Sequence, residues 1–575
     1  MQTLNWLEPI GNWNPQLVRE LKGRFKLRNI LLTTGLAGLI QIFVLMYFAI
    51  QLPTVEKFSH PEYVNRYCTG NYSYSEPACL MSQNQVAVHW QLWWFDIFLS
   101  LGFVILFGGL AIGSFMLISD LSQEERRGTL NFLRLTPQST AKLLLGKLLG
   151  TPSLLYLAIL LMLPLYWWSG LQAEMAFPFI LMMNLLWMSA GILVYSAALL
   201  FGLTTTWLGG LQPWLGSGTI SWLIIIASAK GISHNGSDVI SFFSPANFLL
   251  YGVPESLIDS QGTQILGYST QRLLTNLTSW QWFNIPIGDN SLLLGFFLLN
   301  YLLWTQWIWK SINRYFRNTT GTILSKTQSY AMTVYWVTLT VGFLIHNNPH
   351  CPENYPKKCV TSSLVNQTEF IPELLWVSLL FLVLIMTLSP QRSTLQTWSR
   401  YHQERLKTGG RYSLIQDLIF GEKSPAIVAI SINAVITGLI LLAINQAFVE
   451  SSNQLFVMFD ILLTLSFYLI LASLVQNFLF IKSPKRALWA AVAVISVMIV
   501  PPIAFLILSI ESHHPLWLVT AIPWDTTRSA SMSLFLQVVL GNLVVFAGLT
   551  AYFSRQLKLA GESQTKTLLM KAGKR

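Results

Sequence analysis

The sequence predicts an all-α polytopic membrane protein, and composition, span count and charge placement support this fold class. Apolar residues make up 53% of the 575 residues and charged residues only 11%, with a mean hydropathy of +0.50. A soluble globular chain carries about 25% charged residues. The composition therefore excludes a soluble globular protein, and it also excludes a disordered chain and a small disulfide scaffold.

About 12 apolar segments are long enough to cross a bilayer as helices, which takes roughly 20 residues each. The predicted spans are residues 30–51, 92–118, 151–169, 176–203, 207–227, 291–309, 330–346, 372–388, 426–447, 456–481, 488–510 and 533–553.

The basic residues predict the orientation of these spans. If the N-terminus is cytoplasmic, 29 of the 36 Lys and Arg residues fall in inner segments and 7 in outer segments. This bias follows the positive-inside rule, so both termini are predicted to be cytoplasmic. The net charge of +11 then reflects membrane topology, and no nucleic-acid partner is expected.

The layout of the spans repeats after six. The first and seventh spans each precede an outer loop with a cysteine pair, and the second and eighth each precede a long basic inner segment. An even offset makes this a parallel repeat, which predicts two parallel six-helix repeats. The predicted parts are a cytoplasmic amphipathic connector helix at 1–28, a first six-helix transmembrane domain at 29–309, a cytoplasmic linker at 310–329 and a second six-helix transmembrane domain at 330–575.

All four cysteines lie in predicted outer loops. Cys68 and Cys79 share one loop, and Cys351 and Cys359 share another. An oxidising exterior would allow one disulfide in each loop. A metal site that combines the second pair with nearby histidines is the alternative, and no metal is expected.

The N-terminal segment 14–28 has the pattern of a basic amphipathic helix. Asn14 can cap it and Pro15 suits its first turn, while Leu17, Leu21 and Phe25 recur on one face. Such a helix can lie in the inner membrane interface. A plain basic anchor in front of the first span is an alternative compatible with it.

The inner segment 119–150 predicts a short helix between two spans. Gly128 breaks its charged stretch, Thr129 can cap a helix that continues to Leu135, and Thr136 can start the next one.

A helix this short is marginal alone in water, and this one would expose Leu130, Phe132 and Leu133. The segment is therefore either a docking helix for a soluble subunit or an interfacial turn.

Two motifs resemble a known family. The inner segment contains, in order, Glu124, Glu125, Arg126, Arg127, Gly128, Thr129, Leu130, Leu133, Leu135, Thr136 and Pro137. This run resembles the Glu-x-x-x-Gly-Thr-Leu…Thr-Pro signature of ABC-transporter permeases of the ABC type-two exporter class. The run Arg19, Glu20 and Leu21, which follows Asn14-Pro15, resembles the connector helix of those permeases.

The resemblance covers residues 1–309 in motif and span order, and the second half in layout alone. In the second half, Glu404 and Arg405 lie in the corresponding inner segment, but no Glu-x-x-x-Gly-Thr follows them.

The resemblance implies a permease subunit of an ATP-driven exporter with two six-helix domains fused in one chain. Two cytoplasmic ABC ATPase subunits would carry ATP and Mg²⁺ and would contact the coupling residues Glu124, Glu125, Arg126, Gly128, Thr129, Leu130, Leu133, Glu404 and Arg405. It also implies a bacterial plasma membrane and an exported substrate whose identity the sequence leaves open.

The chain itself contains no P-loop, because Gly146-Lys147 is followed by Leu148 rather than by Ser or Thr. No catalytic residue and no cofactor are therefore predicted in this chain.

Two other functions remain open. An ion-coupled secondary transporter would need buried ion ligands, and charges inside the predicted spans are few; Asp96 and Asp460 lie about four residues inside the outer ends of two of them. A non-transporting scaffold or an enzyme of lipid or glycan chemistry is the other alternative, although no cluster of catalytic acids or histidines is visible.

Overall fold

The computed structural model describes residues 7–53, 65–69, 72–73, 76–77, 81–82, 85–230, 236–252, 280–288, 290–345, 348–350, 360–362, 365, 367–407, 414–511, 513–523 and 530–561. The chain divides into two compact units. The first comprises Met1–Ser233, Ile240–Trp280 and Pro286–Arg317, and the second comprises His234–Val239, Gln281–Ile285 and Asn318–Arg575.

The first unit is built from helices. They are α1 (Leu7–Trp13), α2 (Pro15–Arg24), α3 (Leu27–Ile50), α4 (Trp90–Phe103), α5 (Gly109–Arg126), α6 (Thr129–Arg134), α7 (Thr140–Gly150), α8 (Ser153–Gln172), α9 (Phe177–Thr204), α10 (Gln212–Ala229) and α11 (Asn290–Arg317). A π-helical turn at Val104–Gly108 joins α4 to α5, so that one helix runs without a break from Trp90 to Arg126.

The second unit is also helical. Its helices are α12 (Lys326–Leu344), α13 (Gln367–Leu388), α14 (Arg392–Lys407), α15 (Leu414–Phe420), α16 (Ala426–Phe448), α17 (Gln454–Phe480), α18 (Arg486–Ile507) and α19 (Met532–Gly561).

Short strands occur only between helices in the described part of the chain. They are β1 (Tyr72–Ser73), β2 (Glu76–Pro77), β3 (Met81–Ser82), β4 (Gln85–Val86), β5 (Gln281–Trp282), β6 (Ile285–Pro286), β7 (Asn348–His350) and β8 (Val360–Ser362). The pairs β1–β2, β3–β4 and β7–β8 are antiparallel.

Ten helical stretches among the described residues are long and apolar enough to cross a membrane, and each coincides with a predicted span. Helices α10 and α12 form where the fifth and seventh spans are predicted, with 18 and 19 residues. They are less apolar, because α10 contains Gly, Ser and Thr in its first half and α12 begins Lys-Thr-Gln-Ser. The all-α polytopic class is therefore observed, and the count of 12 stays a prediction.

The predicted linker 310–329 is mostly helical. Helix α11 continues to Arg317 and α12 begins at Lys326, so only residues 318–325 connect them. Apolar periodicity does not detect these extensions, because the helix continues past the apolar stretch into polar sequence.

The cysteine predictions fall almost entirely outside the described residues. Cys68 is buried, and its backbone bridges to Val88. Cys79, Cys351 and Cys359 lie outside the described residues, so the two disulfide pairings stay predictions.

The first unit has a leucine-rich core around α6. Side chains of α5, α6, α7, α9 and α11 share it: Leu117, Leu121, Leu130, Leu133, Leu143, Leu144, Leu148, Tyr195, Leu199, Leu203, Ile312 and Phe316. Apolar burial of this kind contributes about 25 cal/mol per Å². The core therefore holds the short helix α6 firmly against four longer helices.

Candidate functional site

The connector helix α2 begins as the sequence predicts. The Asn14 side chain accepts a hydrogen bond from the Leu17 N–H at 3.1 Å, and Pro15 is the first helical residue. The Asn14 amide also donates to the Lys142 carbonyl on α7 at 2.6 Å. The cap of α2 is therefore also a contact between α2 and α7.

Two glycines allow α2 to pack closely against α7. A Cβ on Gly146 would lie 2.7 Å from Asn14 Oδ1, and a Cβ on Gly150 would lie 2.5 Å from the Glu20 Cβ. Residues four apart lie on the same face of a helix, so these glycines form one smooth strip. Small residues at this spacing let helix backbones approach.

Lys147 lies beside this strip and is almost completely buried, with 1% of its surface exposed. Its Nζ lies 2.5 Å from Asp120 Oδ2 and 2.8 Å from Glu124 Oε2 on α5, and 3.7 Å from Glu20 Oε1 on α2. We call Glu20, Asp120, Glu124 and Lys147 the clasp, because they join three helices.

The Lys147 ammonium stays charged inside the clasp. Burial by itself lowers its pKa, but Asp120 and Glu124 raise it by more, so the net pKa lies above the ordinary value of lysine. A buried charge is tolerated when it is paired and hydrogen-bonded, and the carboxylates meet that condition.

Two arginines of α2 complete the charge balance. Arg24 Nη2 lies 3.2 Å from Asp120 Oδ1, and its Nε lies 3.5 Å from Glu20 Oε2. Arg19 Nη2 lies 3.2 Å from Glu124 Oε1, with 57% of the arginine side chain exposed. Three carboxylates thus face three cations.

The carboxylates of Glu20, Asp120 and Glu124 lie close enough together to ligate a metal ion. The ammonium of Lys147 stands within 4 Å of all three, where a cation would be bound. The group is therefore an internal ion-pair cluster.

A cavity of about 350 Å³ opens beside the clasp. Besides clasp residues, its lining includes Arg19, Gly23, Gln123, Arg127 and Thr129. Its wall therefore consists of the exposed side of α2 and the end of α5, where the family-like motif begins.

Gly128 breaks the helix as predicted. Its φ is +72°, a left-handed conformation that favours glycine, and it separates α5 from α6. The prediction that Thr129 caps the short helix is wrong, because Gly128 occupies the cap position and Thr129 Oγ1 donates to the Glu124 carbonyl at 3.2 Å. The predicted helix start at Thr136 is also wrong, since Ser139 caps α7 through the Lys142 N–H.

The prediction that Leu130 and Leu133 are exposed is wrong. They are only 1% and 8% exposed, because α6 lies with this face on the leucine-rich core. Phe132 and Leu135 are 72% and 85% exposed instead. The apolar surface that α6 presents is therefore formed by Phe132 and Leu135, which we call the α6 patch.

The remaining motif residues lie around α6. Arg126 donates to Ser122 Oγ at 3.0 Å, and Glu125 Oε2 lies 3.9 Å from Arg134 Nη1. Leu21 is half-buried on α2.

In the second unit, the structure places Glu404 and Arg405 in α14, and their side chains lie outside the described residues. The short helix of this unit is α15, which sequence reasoning missed. Leu414, Ile415 and Phe420 of α15 are 39%, 69% and 54% exposed. The spacing of Leu414, Ile415 and Leu418, with Gly421 after the last helical residue, was the available signal.

Helix α15 is anchored by hydrogen bonds to its carbonyls. The buried Lys326 of α12 donates to the Leu418 carbonyl and to Ser424 Oγ, both at 2.6 Å. The Tyr330 hydroxyl donates to the Ile419 carbonyl at 2.8 Å. Cationic and hydroxyl donors are suited to the carbonyl-rich end of a helix, so the first helix of this unit holds the end of α15.

The two acids predicted inside spans have partners. Asp96 accepts hydrogen bonds from Arg66 Nε and Nη2 and from the Tyr67 hydroxyl, all at 2.9 Å. Asp460 accepts from Gln367 Nε2 at 2.7 Å. These contacts join the two acids to neighbouring segments of the chain.

The fold and these sites define a multi-pass helical membrane protein with a charged clasp on an amphipathic helix. The chain matches no protein-family model, and no curated protein or solved structure is significantly similar to it.

The clasp predicts a large cost for removing its central cation. We expect Lys147→Met to lower the free energy of unfolding by about 3–5 kcal/mol, because the buried carboxylates of Glu20 and Glu124 and the partly buried one of Asp120 lose their common partner. Thermal unfolding of the purified protein in detergent measures this loss. Lys142→Met, on the exposed side of the same helix, is the control, and equal effects of the two substitutions would contradict the prediction.

The close approach of α2 and α7 predicts sensitivity at Gly150. Gly150→Ala should destabilise the protein by about 1–3 kcal/mol, because the new methyl group overlaps the Glu20 side chain. Gly23→Ala meets open space and should leave stability unchanged or raise it by up to about 1 kcal/mol. A neutral effect of Gly150→Ala in the same unfolding assay would show that the helices do not pack this closely.

Proposed function

We propose that this chain is the membrane-spanning permease subunit of an ATP-driven ABC exporter, which works with separate cytoplasmic ATPase subunits. One observation carries the proposal: α6 is fixed on its buried face and presents Phe132 and Leu135 on its free face. A short helix whose one face is packed in the core, and which has exposed apolar side chains beside it, is suited to transmit force from a soluble partner. The family-like motif, Glu124 to Pro137, includes this whole helix.

The buried face of α6 supports the mechanical part of this proposal. Leu130 and Leu133 pack with side chains of four other helices, including the inner end of α5 and the end of α11. Packed cores switch between discrete arrangements and do not deform continuously. A push on α6 would therefore move several helices together, and ATP binding by the partner would favour one of two states.

The clasp supports a role for the connector helix in the same movement. Glu20 and Arg24 of α2 are ion-paired with Lys147 and Asp120, which lie on α7 and α5 on either side of α6 along the chain. A displacement of α6 would reach α2 through these ion pairs.

In the second unit, α15 takes the corresponding role in this proposal. It presents Ile415 and Phe420, and Lys326 and Tyr330 tie its end to α12. Two short helices with apolar tips suit two ATPase copies, one for each half of the chain.

The bilayer is the proposed environment of the spanning helices. Helix α3 leaves Leu32, Phe43 and Ile50 more than 60% exposed, which suits contact with lipid rather than water. We place both termini in the cytoplasm of a bacterial cell, with 12 spans and with disulfides Cys68–Cys79 and Cys351–Cys359 outside. The basic-residue bias supports this orientation.

The α6 patch predicts where the ATPase binds. Phe132→Ser with Leu135→Ser should weaken co-purification of a P-loop ATPase from native membranes roughly thirtyfold, since buried interface anchors contribute about 2 kcal/mol or more. The measurement is quantitative mass spectrometry of the tagged chain's complex. Stability should stay unchanged, because both side chains are exposed.

Leu559→Ser, at an exposed position near the end of α19, is the matched control and should not change the yield of ATPase. The proposal fails if wild-type protein brings down no P-loop ATPase. Transport that continues after ATP depletion and follows an ion gradient would favour the ion-coupled alternative instead.

A further inference from the structure

Glu373 is a carboxyl group buried completely inside the second unit, near the start of α13. The Thr340 hydroxyl of α12 donates to Glu373 Oε1 at 2.6 Å. The other oxygen, Oε2, is buried and has no hydrogen-bond partner among the described residues. Of the two carboxyl oxygens, Oε1 thus has a hydrogen-bond partner among the described residues and Oε2 has none.

The unsatisfied oxygen faces a closely packed turn. The 3₁₀ turn Gly236–Val239 packs against α12 and α13. A Cβ on Gly236 would lie only 3.2 Å from Glu373 Oε2 and 3.8 Å from the Thr340 carbonyl. The absence of a side chain at residue 236 is what allows the backbone to reach the carboxyl.

The elements packed around Glu373 carry few charged residues. The turn contributes Asp238, and α17, which packs on α13, contributes Asp460. Glu369 lies one turn earlier on α13 itself. Helix α16 carries no charged residue, and the Lys326 of α12 precedes Thr340 by 14 positions, or roughly 20 Å along a helix.

No Lys, Arg or His within the described ranges forms an ion pair with Glu373. An isolated carboxylate in such a place is strongly disfavoured over the neutral acid.

We propose that Glu373 is a proton-binding site, which holds the carboxyl as a neutral acid while the turn Gly236–Val239 is packed against α12 and α13. The ligand is one proton. Its release to water leaves a buried carboxylate that needs water on Oε2, so the turn must separate from the helices. The site thereby acts as a proton-dependent latch, which holds the turn Gly236–Val239 against α12 and α13.

Infrared spectroscopy of the purified full-length chain in lipid nanodiscs tests the protonation state. At neutral pH, the spectrum should contain the C=O band of a buried protonated carboxyl, which Glu373→Gln removes. Glu369→Gln, at a half-buried position on the same helix, is the matched control and should leave the band unchanged. A band that survives Glu373→Gln would overturn the proposal.

Thermal unfolding as a function of pH tests the latch. Wild-type protein should lose stability at alkaline pH more steeply than Glu373→Gln, because the glutamine stays neutral and keeps the turn packed. Parallel pH profiles would overturn the latch.

Addition of NaCl or KCl, at constant ionic strength with choline chloride, separates a proton from a metal ion as the ligand. Stabilisation of the wild type by Na⁺ or K⁺ that Glu373→Gln abolishes would assign the site to that cation and would overturn the proton proposal. No such stabilisation is expected.

Discussion

The pairing of Lys147 with the carboxylates of Glu20, Asp120 and Glu124 is the interaction on which the packing of α2, α5 and α7 depends. Removing one lysine and several carboxylates from water is costly, and the cost is offset only when geometry is good on every side. In the clasp, the geometry is good for two reasons. Gly146 and Gly150 allow α2 to pack closely against α7. Gly128 ends α5 soon after Asp120 and Glu124. The clasp and the break at Gly128 are thus parts of one arrangement.

The two units hold a short inner helix by different physical means. In the first unit, α6 is held by apolar burial of Leu130 and Leu133. In the second, no residue of α15 is buried, and hydrogen bonds from Lys326 and Tyr330 to its carbonyls hold it instead. Every residue has a backbone carbonyl, so the hydrogen bonds that hold α15 do not require particular residues in α15 itself. A sequence motif therefore does not reveal them.

Features that depend on a few neighbouring residues were predictable from the sequence, whereas features that depend on packing between distant helices were not. The Asn14–Pro15 helix start and the break at Gly128 depend on backbone chemistry within a few residues, and both are observed. Which face of α6 is buried depends on four other helices, and Leu130 and Leu133 were assigned to the wrong side. Lys147 was considered only as a failed P-loop position, because its three acidic partners lie 23 to 127 positions away in the chain.

The partners of Glu373, like those of Lys147, could not be predicted from the sequence. Acids near the outer ends of spans look alike in sequence, yet their partners differ: Asp96 has an arginine, Asp460 has an amide, and Glu373 has one hydroxyl. An arginine stabilises the ionised form, whereas a single hydroxyl on a fully buried carboxyl does not compensate a full charge. The ionisation state, and with it any role in binding protons, is therefore set by what the fold brings to each acid rather than by the acid's position along its helix.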